Sequence, residues 1–157
     1  MGACTVGDLL SKEEVLALVP QQEPFRFIDE ILELDAEHIV ATYTFSPELD
    51  FYRGHFPGNP ITPGVILTET MAQTGVVAFG IYLYALETSR EEVGRLLTVF
   101  TDANVEFTGT VRPGDRVQTT GRIKFFRRRK LRAAVEMRLD DGTVVCSGEL
   151  AGMGVPQ

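Results

Sequence analysis

Residues 51–73 read FYRGHFPGNPITPGVILTETMAQ, and this stretch determines how the rest of the chain is organised. It begins as a loop rich in glycine and proline and continues into a segment, residues 65–86, that is apolar on nearly every face. That segment is long enough to cross a membrane. We instead predict a buried helix, because the polar side chains cluster in one half of it and the rest of the chain has the pattern of a soluble sheet.

Two titratable side chains stand out in this stretch. His55, one of two histidines in the chain, lies in the loop, and Glu69 is the single charged residue of the apolar segment. Burial raises the pKa of a carboxyl, which suits it to act as a general acid near neutral pH. We interpret His55 and Glu69 as a proton-transfer pair, with Gln73, one helical turn further on, orienting Glu69. The residues alone leave open the alternative that each side chain only satisfies nearby backbone groups.

The start of the predicted helix is a further candidate site. Pro63 and Gly64 stand where the helix begins, and proline is well tolerated in a first turn. The N–H groups of Gly64 and Val65 then have no acceptor inside the helix. We therefore expect the N–H of Gly64 to bind a polarised carbonyl oxygen or a developing oxyanion.

The segment GHFPGNPITPGVILTETMAQ resembles the active-site segment of the 3-hydroxyacyl-[acyl carrier protein] dehydratases of fatty-acid synthesis. It is more similar to the FabZ-type enzymes, which carry glutamate on the central helix where FabA-type dehydratase/isomerases typically carry aspartate. The resemblance extends more weakly to VPQQEPFRFIDEILEL upstream and to NVEFTGTVRPGDRV downstream. It implies an α+β fold, the hot dog, in which a curved antiparallel sheet wraps a long central helix, and a single domain over residues 1–157.

The resemblance also implies a function. The substrate would be a (3R)-3-hydroxyacyl thioester on acyl carrier protein, and the product a trans-2-enoyl thioester. His55 would remove the C2 proton, Glu69 would protonate the departing 3-hydroxyl, and Gly64 would polarise the thioester carbonyl. In the family the two side chains of one site come from different protomers, which implies a homodimer or a larger assembly such as a hexamer. Phe56 and Val65 are expected to line an apolar tunnel for the acyl chain, and no cofactor or metal is expected.

One part of the sequence departs from the family pattern. FabZ-type sequences usually carry a PHRYPF-like run near the start, whereas this chain has PQQEPF, with Gln21 in the position of the histidine. The change leaves open a specialised substrate, such as a polyketide, aryl-polyene or unusual lipid intermediate.

Two other functions remain as alternatives. A hot-dog thioesterase would use Glu69 to activate water, but the histidine of GHFPG argues against it. A non-catalytic acyl-binding subunit is disfavoured because both His55 and Glu69 are present.

The charge distribution bears on partners. A net charge of −7 argues against general binding of nucleic acid. Residues 122–132, RIKFFRRRKLR, nevertheless hold seven Lys/Arg and no acid. We interpret part of this run as a docking surface for an acidic acyl carrier protein, the alternative being a solvated hairpin tip. The residues of this surface are Arg127, Arg128, Arg129 and Lys130.

The termini and the cysteines give weaker indications. The first residues lack the basic start and apolar core of a secretion signal, so a cytoplasmic location is expected. Cys4 and Cys146 form neither a disulfide framework nor a metal-binding pattern.

The remaining elements are predicted from local patterns. Ser11 and Glu14 have the spacing of a capping box that opens a short helix ending before Pro20. PFRFIDEILEL, HIVATYTFS and four later segments are predicted as strands, with turns at RPGD (residues 112–115) and DDGT (residues 140–143). TSREEVGR is expected to be a polar connection, and the tail GVPQ to be loose.

Overall fold

A six-stranded sheet, antiparallel throughout, forms the framework of the protein in a computed structural model that describes residues 9–157. The strand order is β1-β2-β4-β5-β6-β3, which confirms the predicted α+β architecture. Cys4 and the first residues, on which the expected absence of a secretion signal rests, lie outside the described residues. The strands are β1 (Glu30–Leu34), β2 (His38–Thr44), β3 (Leu96–Phe107), β4 (Arg116–Arg127), β5 (Lys130–Leu139) and β6 (Val144–Pro156).

The sheet wraps around the predicted central helix, Gly64–Ala85. By length and composition this helix could cross a membrane, but 67% of its most apolar window is buried inside the fold. It is therefore the core helix of a soluble fold, and its apolar character on all sides follows from the sheet that surrounds it. The helix is α-helical over Gly64–Ala72 and Phe79–Ala85, with π-helical turns over Gln73–Ala78 between them.

The central helix lies very close to the sheet at Gly75. A Cβ atom at Gly75 would come within 2.6 Å of Val135 Cγ2, and one at Gly121 would come within 3.0 Å of the Gly75 Cα. Two facing glycines, one on the helix and one on β4, therefore permit this crossing. It occurs inside the π-helical turns, a feature that is frequent at functional sites.

A short N-terminal helix, Lys12–Leu18, packs against β1 and the central helix. Ser11 Oγ accepts a hydrogen bond from the N–H of Glu14, and the Glu14 carboxylate accepts one from the N–H of Ser11. The predicted capping box is thus confirmed, as is the end of the helix before Pro20.

Three segments differ from the prediction. In PFRFIDEILEL the strand begins only at Glu30, because the backbone of the preceding phenylalanines bonds to a side chain of the central helix. The polar connection TSREEVGR contains a short helix, Arg90–Val93, capped by Ser89. The tail is not loose, because β6 continues to Pro156, which pairs with Leu96 of the long strand β3.

Strand β3 lies at the edge of the sheet and is largely exposed in the single chain. Leu97, Val99, Phe100 and Phe107 each keep 38–48% of their surface exposed. An edge strand that carries exposed apolar side chains is a surface suited to pairing with another chain.

Candidate active site

The loop before the central helix holds the imidazole of His55 in one orientation. Its backbone is fixed on both sides, since the N–H of His55 donates to Phe51 at 3.0 Å and the N–H of Ile61 donates to the carbonyl of His55 at 2.9 Å. His55 Nδ1 lies 2.8 Å from the carbonyl oxygen of Ile61. Because a carbonyl can only accept, Nδ1 carries the hydrogen, and Nε2 of the neutral ring keeps its lone pair. His55 is therefore prepared to act as a base through Nε2.

Buried polar contacts hold the same loop together and attach it to the connection between β3 and β4. The Tyr52 hydroxyl is hydrogen-bonded to Thr62 Oγ1, and the N–H of Thr62 donates to the carbonyl of Val111. Phe56 stacks on the His55 ring with a centroid distance of 4.2 Å. The loop thus holds its histidine before any substrate binds.

Glu69 lies on the second turn of the central helix and is half-buried. Burial raises the pKa of its carboxyl above 4.5, and a hydrogen bond from Gln73 opposes part of that shift. A raised pKa favours the protonated form, which can donate a proton to a leaving oxygen.

Gln73 is buried completely and has its amide group fixed by three hydrogen bonds. Its Oε1 accepts from the N–H of Phe27 at 2.7 Å. Its Nε2 donates to the carbonyl of Phe25 and to Glu69 Oε1, both at 2.9 Å. If the amide were rotated by half a turn, its NH2 group would face the N–H of Phe27, and its oxygen would face the carbonyl of Phe25 and Oε1 of Glu69. Donor would then face donor and acceptor would face acceptor at all three partners. The orientation of Gln73, and through it that of Glu69, is therefore determined.

An apolar groove lies beside the pocket of the Glu69 carboxyl. The pocket at the carboxyl is lined by side chains of the central helix and of β3, among them Val76, Thr98 and Phe100. Val76 and Thr98 also line a second, more apolar pocket, so the two spaces are neighbours. The second pocket extends between the helix and the β4–β5 hairpin, and its lining is mainly apolar. Its lining includes Gly80, Tyr84, Phe126, Arg129 and Leu131.

The start of the central helix lies apart from this groove. Among residues 9–157, no acceptor takes the N–H of Gly64 or of Val65. A Cβ at Gly64 would lie 3.3 Å from the ring of Phe107. Val65 and Phe56 are both exposed, and neither lines the Glu69 pocket.

Within one chain, the two predicted catalytic side chains, His55 and Glu69, do not bond to each other. Over residues 9–157 no hydrogen bond or ion pair connects His55 with Glu69, and His55 does not line the Glu69 pocket. One chain therefore holds His55 on the loop, outside the pocket that the Glu69 carboxyl lines.

The predicted basic surface forms the tip of the β4–β5 hairpin. Arg128 and Arg129 adopt positive φ angles of 51° and 64°, as the central residues of a tight hairpin turn require. In the described part of the chain, none of the four basic residues forms an ion pair. In contrast, the nearby Arg132 and Lys124 are paired with Asp102 and Glu149.

A family model for the FabA-like domain matches residues 19–150. The chain therefore belongs to the FabA-like family. Among the relatives of this FabA-like chain is the 3-hydroxyacyl-[acyl-carrier-protein] dehydratase FabZ of Roseiflexus castenholzii, which is 36% identical over 90% of this chain and 94% of its own length. The protein of the same name from Streptococcus pyogenes serotype M49 is 35% identical over 90% of this chain and 96% of its own length.

Solved structures of other proteins share the fold of this FabA-like chain. The dehydratase heterocomplex ApeI:P from Xenorhabdus doucetiae superposes with a TM-score of 0.71 at 17% identity, over 91% of each chain. A thioesterase from Haemophilus influenzae gives a TM-score of 0.66 at 17% identity, over 93% of this chain and 91% of that one. At such low identity the likeness extends to the fold alone, and it confirms the predicted hot-dog architecture.

Sequence reasoning did not find the part of the site that β3 contributes. Thr98 and Phe100 line the Glu69 pocket, but the sequence LLTVF of residues 96–100 does not alternate between apolar and polar side chains. The inward face of a strand is predicted from that alternation, which is absent here. Gln21 was noted in the sequence only as a departure from the family pattern, and it also lies in this pocket.

Proposed function

We propose that this FabA-like protein is a 3-hydroxyacyl-[acyl carrier protein] dehydratase that converts (3R)-3-hydroxyacyl thioesters to trans-2-enoyl thioesters in fatty-acid or related synthesis. The observation that carries this proposal is a half-buried glutamate with a raised pKa in a pocket beside an apolar groove. Relatives that are 35–37% identical carry the name of this activity. A water-activating role for Glu69, as in a thioesterase, needs an ionised carboxylate, which its burial disfavours.

In the proposed reaction, His55 Nε2 takes a proton from C2 of the substrate. The electron pair forms the C2–C3 double bond while the C3–O bond breaks, and the thioester carbonyl stabilises the developing charge. The free N–H of Gly64 polarises that carbonyl. Glu69 gives its proton to the departing hydroxyl, which leaves as water. The proton gained by His55 and the proton lost by Glu69 balance, so no cofactor is needed.

We place both halves of each site at an interface between two copies of the chain. In one chain the His55 loop and the Glu69 groove are separate, and the exposed apolar residues of β3 offer an edge on which two sheets can join. Phe56 and Val65, which are exposed in one chain, then line the substrate path from the partner's side. The smallest active assembly is therefore a homodimer with two composite sites, and a hexamer would be built from three such dimers.

We propose that the tip of the β4–β5 hairpin receives the acyl carrier protein. Its four basic side chains have no acidic ion-pair partner among residues 9–157, on a protein whose net charge is −7. Such a surface attracts an acidic protein that delivers the acyl group on its phosphopantetheine arm. The proposed location is the cytoplasm.

The proposed function is tested by hydration of a short trans-2-enoyl thioester, followed as the loss of enoyl absorbance. We expect wild type to be active, and His55→Ala and Glu69→Ala each to lower activity by about 10²–10⁴-fold. Mixing the two inactive variants should restore part of the activity after subunit exchange, since some dimers then contain one intact site.

His38→Ala is the matched control. The only other histidine of the chain lies at the start of β2, next to Asp35, and its removal should leave the rate unchanged. If wild type is inert on both coenzyme A and carrier-protein thioesters, or releases free thiol from them, the dehydratase proposal is wrong.

A further inference from the structure

The side chain of Gln21 has a feature that the proposed mechanism has not used. Its Oε1 atom is buried, and no group within residues 9–157 donates a hydrogen bond to it. Buried acceptors are nearly always paired in folded proteins, so an unpaired acceptor on a residue that lines a pocket is a candidate to bind a donor on a ligand. The neighbouring Gln22 differs, because its amide donates to the carbonyl of Val19.

The position of Gln21 indicates which group of a ligand donates to its Oε1 atom. Gln21 lines the same pocket as the Glu69 carboxyl, together with Ala72, Val76 and Thr98. Glu69 Oε1 already accepts a hydrogen bond from Gln73. The pocket therefore presents the Glu69 carboxyl, which the proposed mechanism assigns as the proton donor, and one unused acceptor, Gln21 Oε1.

A 3-hydroxyacyl thioester needs both of these groups. Its hydroxyl oxygen must receive the proton of Glu69, while the hydrogen that the hydroxyl already carries needs an acceptor. We propose that Gln21 Oε1 accepts the hydrogen bond from the substrate 3-hydroxyl and so aligns the oxygen with the proton of Glu69. This inference rests on the proposed dehydratase function.

The bond changes leave Gln21 chemically unaltered. The C3–O bond breaks, the Glu69 proton joins the departing oxygen, and the original hydroxyl hydrogen stays bonded to that oxygen. Water leaves with this hydrogen still directed at Gln21 Oε1. In the reverse reaction the same contact orients the attacking water.

With this role, Gln21 contributes to the affinity for ligands that carry one functional group, the 3-hydroxyl. The 3-hydroxyacyl thioester carries the hydroxyl that Gln21 recognises, whereas the 2-enoyl thioester does not. A residue that only shapes the pocket would affect the binding of both ligands equally.

The test measures binding in a His55→Ala background, in which turnover is blocked and both ligands stay intact. The probes are (3R)-3-hydroxyoctanoyl-coenzyme A and trans-2-octenoyl-coenzyme A, titrated by calorimetry. Replacing Gln21 by methionine keeps the length of the side chain and removes the acceptor. We expect the Kd of the hydroxyacyl probe to rise by about fivefold, as for the loss of one hydrogen bond, and the Kd of the enoyl probe to stay within about twofold.

Gln22→Met in the same background is the control and should change neither Kd. Gln21→Leu provides a second variant without the acceptor if the methionine variant does not fold. Equal weakening of both probes, or no weakening of either, would overturn the role of Gln21. If wild-type protein hydrates enoyl thioesters in such a case, the proposed function stands without Gln21; if it shows no turnover and the His55→Ala protein binds neither probe, both proposals are wrong.

Discussion

Gln73 donates a hydrogen bond of 2.9 Å to Oε1 of Glu69 from one turn further along the central helix. The same amide also bonds to the backbone of Phe25 and Phe27, in the segment that precedes β1. The carboxyl that we assign to proton transfer is therefore positioned by a contact between the core helix and a part of the chain more than forty residues earlier.

Replacing Gln73 by leucine should lower both stability and activity. The change leaves the buried N–H of Phe27 without a partner and frees the Glu69 carboxyl to rotate. We expect the free energy of unfolding to fall by about 1–3 kcal/mol, measured by equilibrium unfolding in urea. Gln118→Leu, on an exposed position of β4, should change it by less than about 0.5 kcal/mol. An unfolding midpoint for Gln73→Leu equal to that of wild type would contradict this role.

The close crossing of helix and sheet gives a second prediction. Gly75→Ala places a methyl group within 2.6 Å of Val135 Cγ2, so the helix must shift, and we expect a loss of about 1–3 kcal/mol. Gly80→Ala is the matched control in the same helix, because its nearest neighbour is Leu131 Cδ2 at 3.8 Å. Alanine there should be neutral or stabilise the protein by up to about 1 kcal/mol. Thermal unfolding of both variants measures this difference in stability. If Val135 can move aside, Gly75→Ala will be as stable as Gly80→Ala and the prediction is wrong.

The raised pKa of Glu69 predicts how stability depends on pH. Between the unfolded-state pKa, near 4.5, and the higher folded-state pKa, the folded protein binds more protons than the unfolded chain. The contribution of Glu69 to stability therefore falls as the pH rises through that window. Glu69→Gln removes the ionisation, so its Tm relative to wild type should increase from pH 4 to pH 7. The exposed Glu48, changed to glutamine, should show no such trend; a Tm difference for Glu69→Gln that is constant with pH would exclude this explanation.

The apolar groove predicts a change in chain-length preference. A leucine at Gly80 would project into the pocket that Tyr84, Phe126 and Leu131 line. Activity on a decenoyl thioester should fall by about tenfold or more, while activity on a crotonyl thioester, whose chain does not reach this pocket, should be retained. Gly80→Ala serves as the control. An equal loss on both substrates would show that the acyl chain does not follow this groove.

Charge reversal tests the proposed docking of the acyl carrier protein. Arg127→Glu combined with Arg128→Glu should raise the KM for carrier-protein substrates by about tenfold and leave the KM for coenzyme A substrates nearly unchanged. Added salt should reduce the difference, since the attraction is electrostatic. Arg95→Glu, at an exposed arginine outside the hairpin, controls for a change in net charge. The docking surface lies elsewhere if both classes of substrate respond alike.

Local patterns in the sequence were sufficient for much of the fold. The capping box at Ser11, the central helix and the turns at residues 112–115 and 140–143 were all predicted, because each depends on residues within a few positions of one another. The loose tail was a wrong prediction, because the order of β6 up to Pro156 comes from pairing with Leu96, sixty residues earlier.

The sequence by itself determined which chemical groups this protein has: a histidine in a rigid loop, one carboxyl in an apolar helix and a cluster of arginines. These follow from residue type and local spacing. Only the tertiary structure decided how these groups are placed. The hydrogen bond between Nδ1 of His55 and the carbonyl of Ile61 leaves Nε2 of the neutral ring with its lone pair, and the fold brings Gln21 to the Glu69 pocket, whose lining does not include His55. The reason is physical: the packing of distant segments sets the burial of a side chain and which residues share a pocket, and no local pattern records either.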